Sequence, residues 1–261
     1  MLDRFDGRRI IITGAGSGIG QATTLRLLDE GGTVVGYDVS PDGLAITTAA
    51  AETAGTAKRL STEIVDVSAE DTVVGAVSRA VDDLGGLDVL VNAAAIQRCA
   101  NTHEHTLDDW NRTLAVNLTG TFLMIRQALP ALLESGRGVV VNFTSTAASF
   151  AHPYMAAYAA SKGGVLSLTH SLALEYSKQG LRAVNIQPGG VATALAVSTL
   201  DKMPAGYDIG LWAKQTPLLH GRADDILGDP SSVASVIAMV ASDDGAFITG
   251  TEIRIDGGAH A

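Results

Sequence analysis

Tyr158 and Lys162 stand four residues apart in the run Y-A-A-S-K. On a helix that spacing puts both side chains on one face, with their Cβ atoms roughly 5–6 Å apart. A free phenol has a pKa of about 10, too high for a base near neutrality, and a neighbouring ammonium favours the phenolate. The pair can therefore act as a general acid and base on an alcohol oxygen, or it can be an ordinary surface pair. Ser145 precedes Tyr158 at the end of an apolar run, where its hydroxyl can bond that same oxygen or tie up a turn. Asn117, in A-V-N-L-T-G, is either part of a proton path through a water or an amide satisfying a helix bend.

Positioning such a group requires a scaffold and a partner for the chemistry. Ile10, Ile11 and Ile12 feed directly into T-G-A-G-S-G-I-G, which carries Gly14, Gly16, Gly18 and Gly20. A buried strand, a glycine turn and a helix starting near Gly18 form a pyrophosphate site, because glycine allows close backbone approach and the helix start presents free N–H groups. Ser17 and Ile19 lie within the turn. The spacing is G-x-x-x-G-x-G, with Ile19 where the commoner pattern has a third glycine. The next strand, 33–38, ends in Asp38, at the place where a carboxylate accepts two ribose hydroxyls and repels a 2′-phosphate. Neither Ser17 nor Val39 is basic, so the expected cofactor is NAD rather than NADP.

Composition narrows the partners. The chain has 261 residues, 46% hydrophobic and 18% charged, which suits one folded α/β domain spanning 1–261. A net charge of -10 speaks against nucleic acid and anionic membrane surfaces, both of which need a basic face. No run reaches the roughly 18 apolar residues of a membrane span, and the N-terminal segment M-L-D-R-F-D-G-R-R carries charges where a signal peptide is apolar. Cys99 is the only cysteine, which rules out an internal disulfide and fits a cytoplasmic location; it reads as a buried small residue. The expected ligand is a small molecule.

Short apolar runs at 10–13, 33–38, 60–65, 88–92, 138–143, 182–187 and 251–255 alternate with helix-length segments. The pattern predicts a doubly wound, seven-stranded parallel sheet with helices on both faces. The stretch 193–229 has no clear period and is expected to be an irregular substrate loop.

Taken together these motifs resemble the short-chain dehydrogenase/reductase family of the compact, Rossmann-type single-domain kind. T-G-A-G-S-G-I-G is similar to its cofactor loop, and Asp66-Val67 to the pair that flanks the adenine ring. Val91-Asn92-Ala93-Ala94-Ala95 resembles the family's N-N-A-G stretch, with alanine replacing both its second asparagine and its glycine, and the resemblance implies that Asn92, Ala93 and Ala94 contact the cofactor. Asn142-Phe143-Thr144-Ser145 looks like the end of its fifth strand. Pro188-Gly189, then Val191 and Thr193, look like the segment that closes over the nicotinamide. The resemblance implies that Asn117, Ser145, Tyr158 and Lys162 are catalytic, with Lys162 also bonding the nicotinamide ribose. It also implies a homotetramer.

The substrate pocket is expected to draw on Ile96, Gln97, Ala147, Phe150, His152, Met155, Leu195, Tyr207 and Trp212. Most of these are apolar, so a secondary alcohol or ketone on an apolar body is the expected substrate. Competing readings are a 3-oxoacyl thioester reductase using NADPH, which Asp38 disfavours, and a non-catalytic dinucleotide sensor, which has no use for Ser145, Tyr158 and Lys162 together. Asp224, Asp225 and Asp229 read as a solvated loop rather than a metal site. On the catalytic helix, Tyr158, Lys162, Val165, Thr169, Leu172 and Tyr176 form an inward face. The opposite face, with Ala156, Ala160, Gly163, Ser167, Ser171 and Leu174, is small-sided and expected to meet another subunit.

Overall fold

The computed structural model describes residues 3–219 and 226–261. Seven strands form one parallel sheet: β1 Arg9–Thr13, β2 Thr33–Asp38, β3 Leu60–Ile64, β4 Val89–Asn92, β5 Val139–Phe143, β6 Arg182–Pro188 and β7 Thr251–Ile255. Their order across the sheet is β3-β2-β1-β4-β5-β6-β7, so the winding reverses between β1 and β4. In open sheets of this kind the crevice beyond the carboxyl ends at that reversal is where ligands bind. The central strands are buried throughout, since helices cover both faces and leave no side for water.

The helices are α1 Gly18–Asp29, α2 Pro41–Thr53, α3 Glu70–Leu84, α4 Leu107–Leu114, α5 Gly120–Glu134, α6 Ala156–Tyr176, α7 Ala194–Val197, α8 Ile209–Ala213 and α9 Pro230–Ala241. Local chemistry marks their starts. Ser40 accepts the Gly43 N–H ahead of α2, with Pro41 at its first position. Thr106 accepts the Asp109 N–H at α4, and Asp229 accepts the Ser231 N–H ahead of Pro230 at α9. Such side chains satisfy amides that the helix itself leaves unpaired. A wide π-turn, Ala115–Thr119, joins α4 to α5 and contains Asn117.

Two apolar layers hold the sheet. Ile11, Leu90 and Val140 face α3, α5 and α6, while Ile10, Ile12, Val89 and Val141 face α1 and α9. At the amino end of β1 the fully buried Asp88 receives Arg9 through the backbone N–H and the guanidinium, and Arg137 through Nε at 2.9 Å. These hydrogen bonds outweigh the upward push of burial and hold the Asp88 carboxyl at about 2.

A row of amides crosses the sheet beneath α6. Asn92 pairs in register with Asn142, and Asn142 with Asn185. Asn92 Nδ2 donates to Asn142 Oδ1 at 2.8 Å, and Asn142 Nδ2 donates to Thr169 Oγ1 of α6 at 2.8 Å. Asn185 Nδ2 reaches the Leu166 carbonyl at 3.4 Å. Helix α6 is thereby registered on the sheet by polar contacts as well as by packing.

The described part of 193–229 is less irregular than its sequence suggests. It contains α7, α8 and a short turn of helix at Leu200–Lys202, and an isolated bridge between Val191 and Gly228 closes its base. Helices α7 and α8 run four and five residues, too short for periodicity to reveal them. Asp224 and Asp225 lie outside the described residues, and Asp229 serves as the cap of α9.

Candidate active site

A cleft of about 770 Å³ opens at the carboxyl ends of the strands. Its floor is the glycine turn. Gly14 has φ +70°, and a Cβ there would stand 2.9 Å from the backbone carbon of Ala93, so the tips of β1 and β4 approach too closely for any side chain. A Cβ on Gly20 would fall 2.1 Å from the Gly14 carbonyl oxygen, which ties the first turn of α1 onto the loop. Ser17 precedes α1 without using its hydroxyl as a cap, leaving the first N–H groups of the helix directed at the cleft. From below, Thr47 of α2 donates to the Ala15 carbonyl, and Gln21 donates to Thr47 at 2.8 Å.

The acid at the end of β2 closes the floor. Asp38 Oδ2 accepts the Gly16 N–H at 2.9 Å and Oδ1 accepts the Ser40 N–H at 2.9 Å, so the carboxylate is fixed beside the loop. Farther along, Asp66 Oδ1 accepts the Ser68 N–H and hydroxyl, and Oδ2 accepts from Arg112 at 3.1 Å. Burial raises the Asp66 pKa, but these bonds outweigh it and the carboxyl stays below its usual range. A cradle too tight for a Cβ, an anion-directed helix start and a hydroxyl-accepting acid fit a dinucleotide. Gly14, Ser17, Gly18, Ile19, Gly20, Asp38, Asp66 and Val67 would hold its adenosine and phosphates, and Ala93, Ala94, Lys162, Pro188, Gly189, Val191 and Thr193 line the other end.

Ser145, Tyr158 and Lys162 come together on the same wall. Ser145 ends the segment after β5, where its hydroxyl accepts the Ala147 N–H at 3.2 Å. Lys162 is buried and donates to the Phe143 carbonyl at 2.7 Å, with its Nζ 5.7 Å from the centre of the Tyr158 ring. The electrostatics differ from the expectation that the ammonium depresses the phenol. Burial strips water from the charged form and pushes Tyr158 up to about 12, against a hydrogen bond from Ser145 that acts downward. The same burial pushes Lys162 down to about 8. Burial thus drives the two pKa values apart, the phenol upward and the amine downward, each toward its neutral form.

Two expected site residues stand back from the cleft wall. Asn92, expected to bind cofactor, turns its side chain beneath α6 onto Asn142, because strand alternation sends it to the opposite face from the exit turn. That turn is held instead by Thr13, whose hydroxyl accepts the N–H groups of both Ala93 and Ala94 at 3.1 Å. Asn117 is fully buried and clamps one peptide unit: its Oδ1 accepts the Ile96 N–H at 2.8 Å and its Nδ2 donates to the Ile96 carbonyl at 2.9 Å. The same Nδ2 donates to Ser161 Oγ of α6 at 3.0 Å.

Of the expected pocket residues, Ile96, Gln97, His152, Met155, Leu195 and Trp212 line the cleft, while Ala147, Phe150 and Tyr207 do not. Phe150 stacks on His260 at 4.3 Å, and Tyr207 meets the edge of Tyr154. Cys99 is half-buried beside the pocket, its thiol pushed up by burial and contacted by Gln97 Nε2 at 3.6 Å. Sequence reasoning passed over Arg112, the Asp256–His260 turn and Tyr154. Tyr154 holds the only positive φ among described non-glycine residues, +66°, and its hydroxyl accepts the Asp208 N–H at the head of α8. The signal for Arg112 was available, since it sits one helical turn before Val116 and Asn117 and needs an acid such as Asp66; the other two depend on contacts distant in sequence.

A ligand crevice at the switch point of a doubly wound parallel sheet, floored by a glycine turn, places the chain among the dinucleotide-binding α/β proteins. A family model described as short chain dehydrogenase matches residues 8–204. The 3-oxoacyl-(acyl-carrier-protein) reductase FabG of Thermotoga maritima is 34% identical over 258 residues, covering 98% of each chain. The crystal structure of levodione reductase superposes with a TM-score of 0.86 at 32% identity, covering 97% of this chain and 98% of that one. A short chain dehydrogenase from Mycobacterium paratuberculosis bound to NAD superposes with a TM-score of 0.89 at 28% identity, covering 98% of both. The chain belongs to the short-chain dehydrogenase/reductase family. Its activity is that of an NAD(P)-dependent oxidoreductase acting on alcohols or ketones.

Proposed function

We propose that the protein is an NAD-dependent dehydrogenase that interconverts a secondary alcohol and its ketone on a largely apolar body. The observation that carries the cofactor choice is Asp38, a fixed carboxylate at the end of β2 with Val39 after it and Ser17 in the loop, and so no cation for a 2′-phosphate. A related structure bound to NAD supports the same reading. When bound, the nicotinamide cofactor supplies the hydride acceptor or donor and a positive ring beside the phenol. The chain's own residues handle the proton. Tyr158 gives it to, or takes it from, the substrate oxygen, and Ser145 holds that oxygen by a hydrogen bond. Lys162 favours the phenolate and bonds the cofactor ribose. Met155, Trp212 and Leu195 supply apolar walls.

Similarity to a 3-oxoacyl thioester reductase supports a second reading, NADPH-driven reduction of an acyl thioester, against which Asp38 stands. Titration with NADH and NADPH, followed by Trp fluorescence, separates the two: the first reading requires NADH to bind at least about tenfold more tightly, roughly 1.4 kcal/mol. A screen of ring alcohols with NAD+, read at the NADH absorbance, tests the reaction, and Tyr158→Phe should cut kcat about 10²–10⁴-fold. Full activity in that variant would refute the mechanism.

The working form is a homotetramer in this reading. On α6, Ala160, Ser167 and Ser171 are exposed, Leu174 is 83% exposed, and Gly163 has nothing within 4 Å of a Cβ position. A surface of small and apolar side chains without charge suits close helix contact with a second copy. Light scattering that finds only monomers would remove this part. A cytoplasmic setting accords with a chain whose one cysteine is Cys99.

A further inference from the structure

His152 stands on the cleft wall with Ser145, Thr146, Met155 and Tyr158, and the proton chemistry has no use for it. Its Nε2 lies 3.1 Å from Thr146 Oγ1, a fully buried hydroxyl. Its Nδ1 has no protein partner among the described residues. The ring is braced from behind by the end of the chain. His260 lies parallel to it at 5.7 Å and stacks on Phe150 at 4.3 Å, while the Arg254 guanidinium sits 5.2 Å over Phe150. Asp256 fixes His260 through both its backbone N–H, at 3.2 Å, and its Nδ1, at 3.1 Å. An imidazole held this firmly, with one nitrogen satisfied and one unpartnered, is built to meet a group that enters the cleft.

We infer that His152 is a second recognition group: the substrate carries, besides the oxygen that reacts, a further uncharged oxygen that hydrogen-bonds the His152 imidazole. The inference rests on the alcohol dehydrogenase reading and narrows its substrate to diols, hydroxyketones or diketones on an apolar frame. Burial, with His260 next to it, pushes His152 down to about 4, so the ring is neutral under ordinary conditions. A neutral ring selects a hydroxyl or carbonyl rather than a carboxylate, which would call for a cation. Its two nitrogens also have opposite roles. If Thr146 donates to Nε2, Nδ1–H is a donor; if Nε2–H donates to Thr146, Nδ1 is an acceptor. A hydroxyl on the substrate satisfies either arrangement, which makes a diol the best probe.

The test compares cyclohexanol with the isomeric cyclohexanediols as substrates with NAD+. In the wild type, kcat/KM for the best diol should exceed that for cyclohexanol by about tenfold or more, the value of one well-made hydrogen bond. His152→Leu should lower that ratio by about tenfold, chiefly through KM for the diol, and His152→Gln, which keeps a donor and an acceptor, should restore most of it. NADH quenching of Trp fluorescence reports that each variant is folded. A wild-type ratio at or below one overturns the inference, as does a ratio that His152→Leu leaves unchanged. If no ring alcohol is oxidised although NADH binds, the dehydrogenase reading itself falls and takes the inference with it.

Discussion

Truncating Asn117 to alanine separates two roles for this residue, a clamp on the backbone and a station in a proton path. The side chain is fully buried in the π-turn between α4 and α5 and makes three hydrogen bonds of 2.8, 2.9 and 3.0 Å. Removing it strands the N–H and carbonyl of Ile96 in the part-buried segment after β4. Each orphaned group costs about 1–3 kcal/mol unless it finds a new partner. Ser161 loses less, because its hydroxyl still donates to the Tyr158 carbonyl at 2.7 Å. The sum is roughly 2–6 kcal/mol of stability. For a chain of this size that lowers Tm by roughly 5–25 °C. Scanning calorimetry measures it, with kcat measured on the same preparation well below the transition. Because Ile96 lines the cleft, the clamp predicts a fall in kcat/KM together with the fall in Tm. A Tm within about 2 °C of wild type, with activity lost, would refute the clamp and leave the proton path as the residue's role.

Three further outcomes follow from the geometry. Asp38→Ala removes the acceptor of the Gly16 and Ser40 N–H groups and the charge facing a 2′-phosphate, so the ratio of NADPH to NADH dissociation constants should fall by about tenfold, read by fluorescence titration. An unchanged ratio would mean that selectivity lies elsewhere. Gly14→Ala places a Cβ 2.9 Å from the Ala93 backbone at φ +70°; it should cost about 1–3 kcal/mol of stability by urea unfolding and weaken cofactor binding. Asp88 is held at about 2 in the folded protein against an unfolded value of about 3.9. A depressed carboxyl contributes stability above its unfolded pKa and loses it as pH falls through the folded one. The stability advantage of wild type over Asp88→Asn should therefore shrink by about 2 kcal/mol between about pH 5 and about pH 2, measured by denaturant titration at each pH.

The sheet was legible because its central strands are short, mostly apolar runs bounded by turn residues, and the glycine turn because Gly14, Gly18 and Gly20 carry their own spacing. Ser145, Tyr158 and Lys162 could be grouped from order and spacing, yet the direction of the Tyr158 pKa could not be read from spacing. It depends on how much water burial removes from the phenolate, and that outweighs the downward pull of the Ser145 hydrogen bond. Asn92 shows the limit of motif reading by another route. Its neighbours Ala93 and Ala94 line the cleft, but a single step of strand alternation turns its amide to the α6 side. The His260 brace and the Tyr154 contact to Asp208 join residues 54 or more positions apart, beyond the reach of any local pattern.

The amides beneath α6 have a consequence for how this sequence can change. Asn142 is at once the acceptor for Asn92 and the donor to Thr169, so an apolar residue in its place orphans the Asn92 amide and leaves Thr169 only its bond to the Val165 carbonyl, while the same change at Asn92 frees the acceptor of Asn142. Substitutions here are strongly epistatic: each is costly alone, and an apolar row is reached only by altering several positions together. The row is thus inherited as one character. Drift can rework the helix surfaces residue by residue, but the bed on which α6 lies must be exchanged whole or kept.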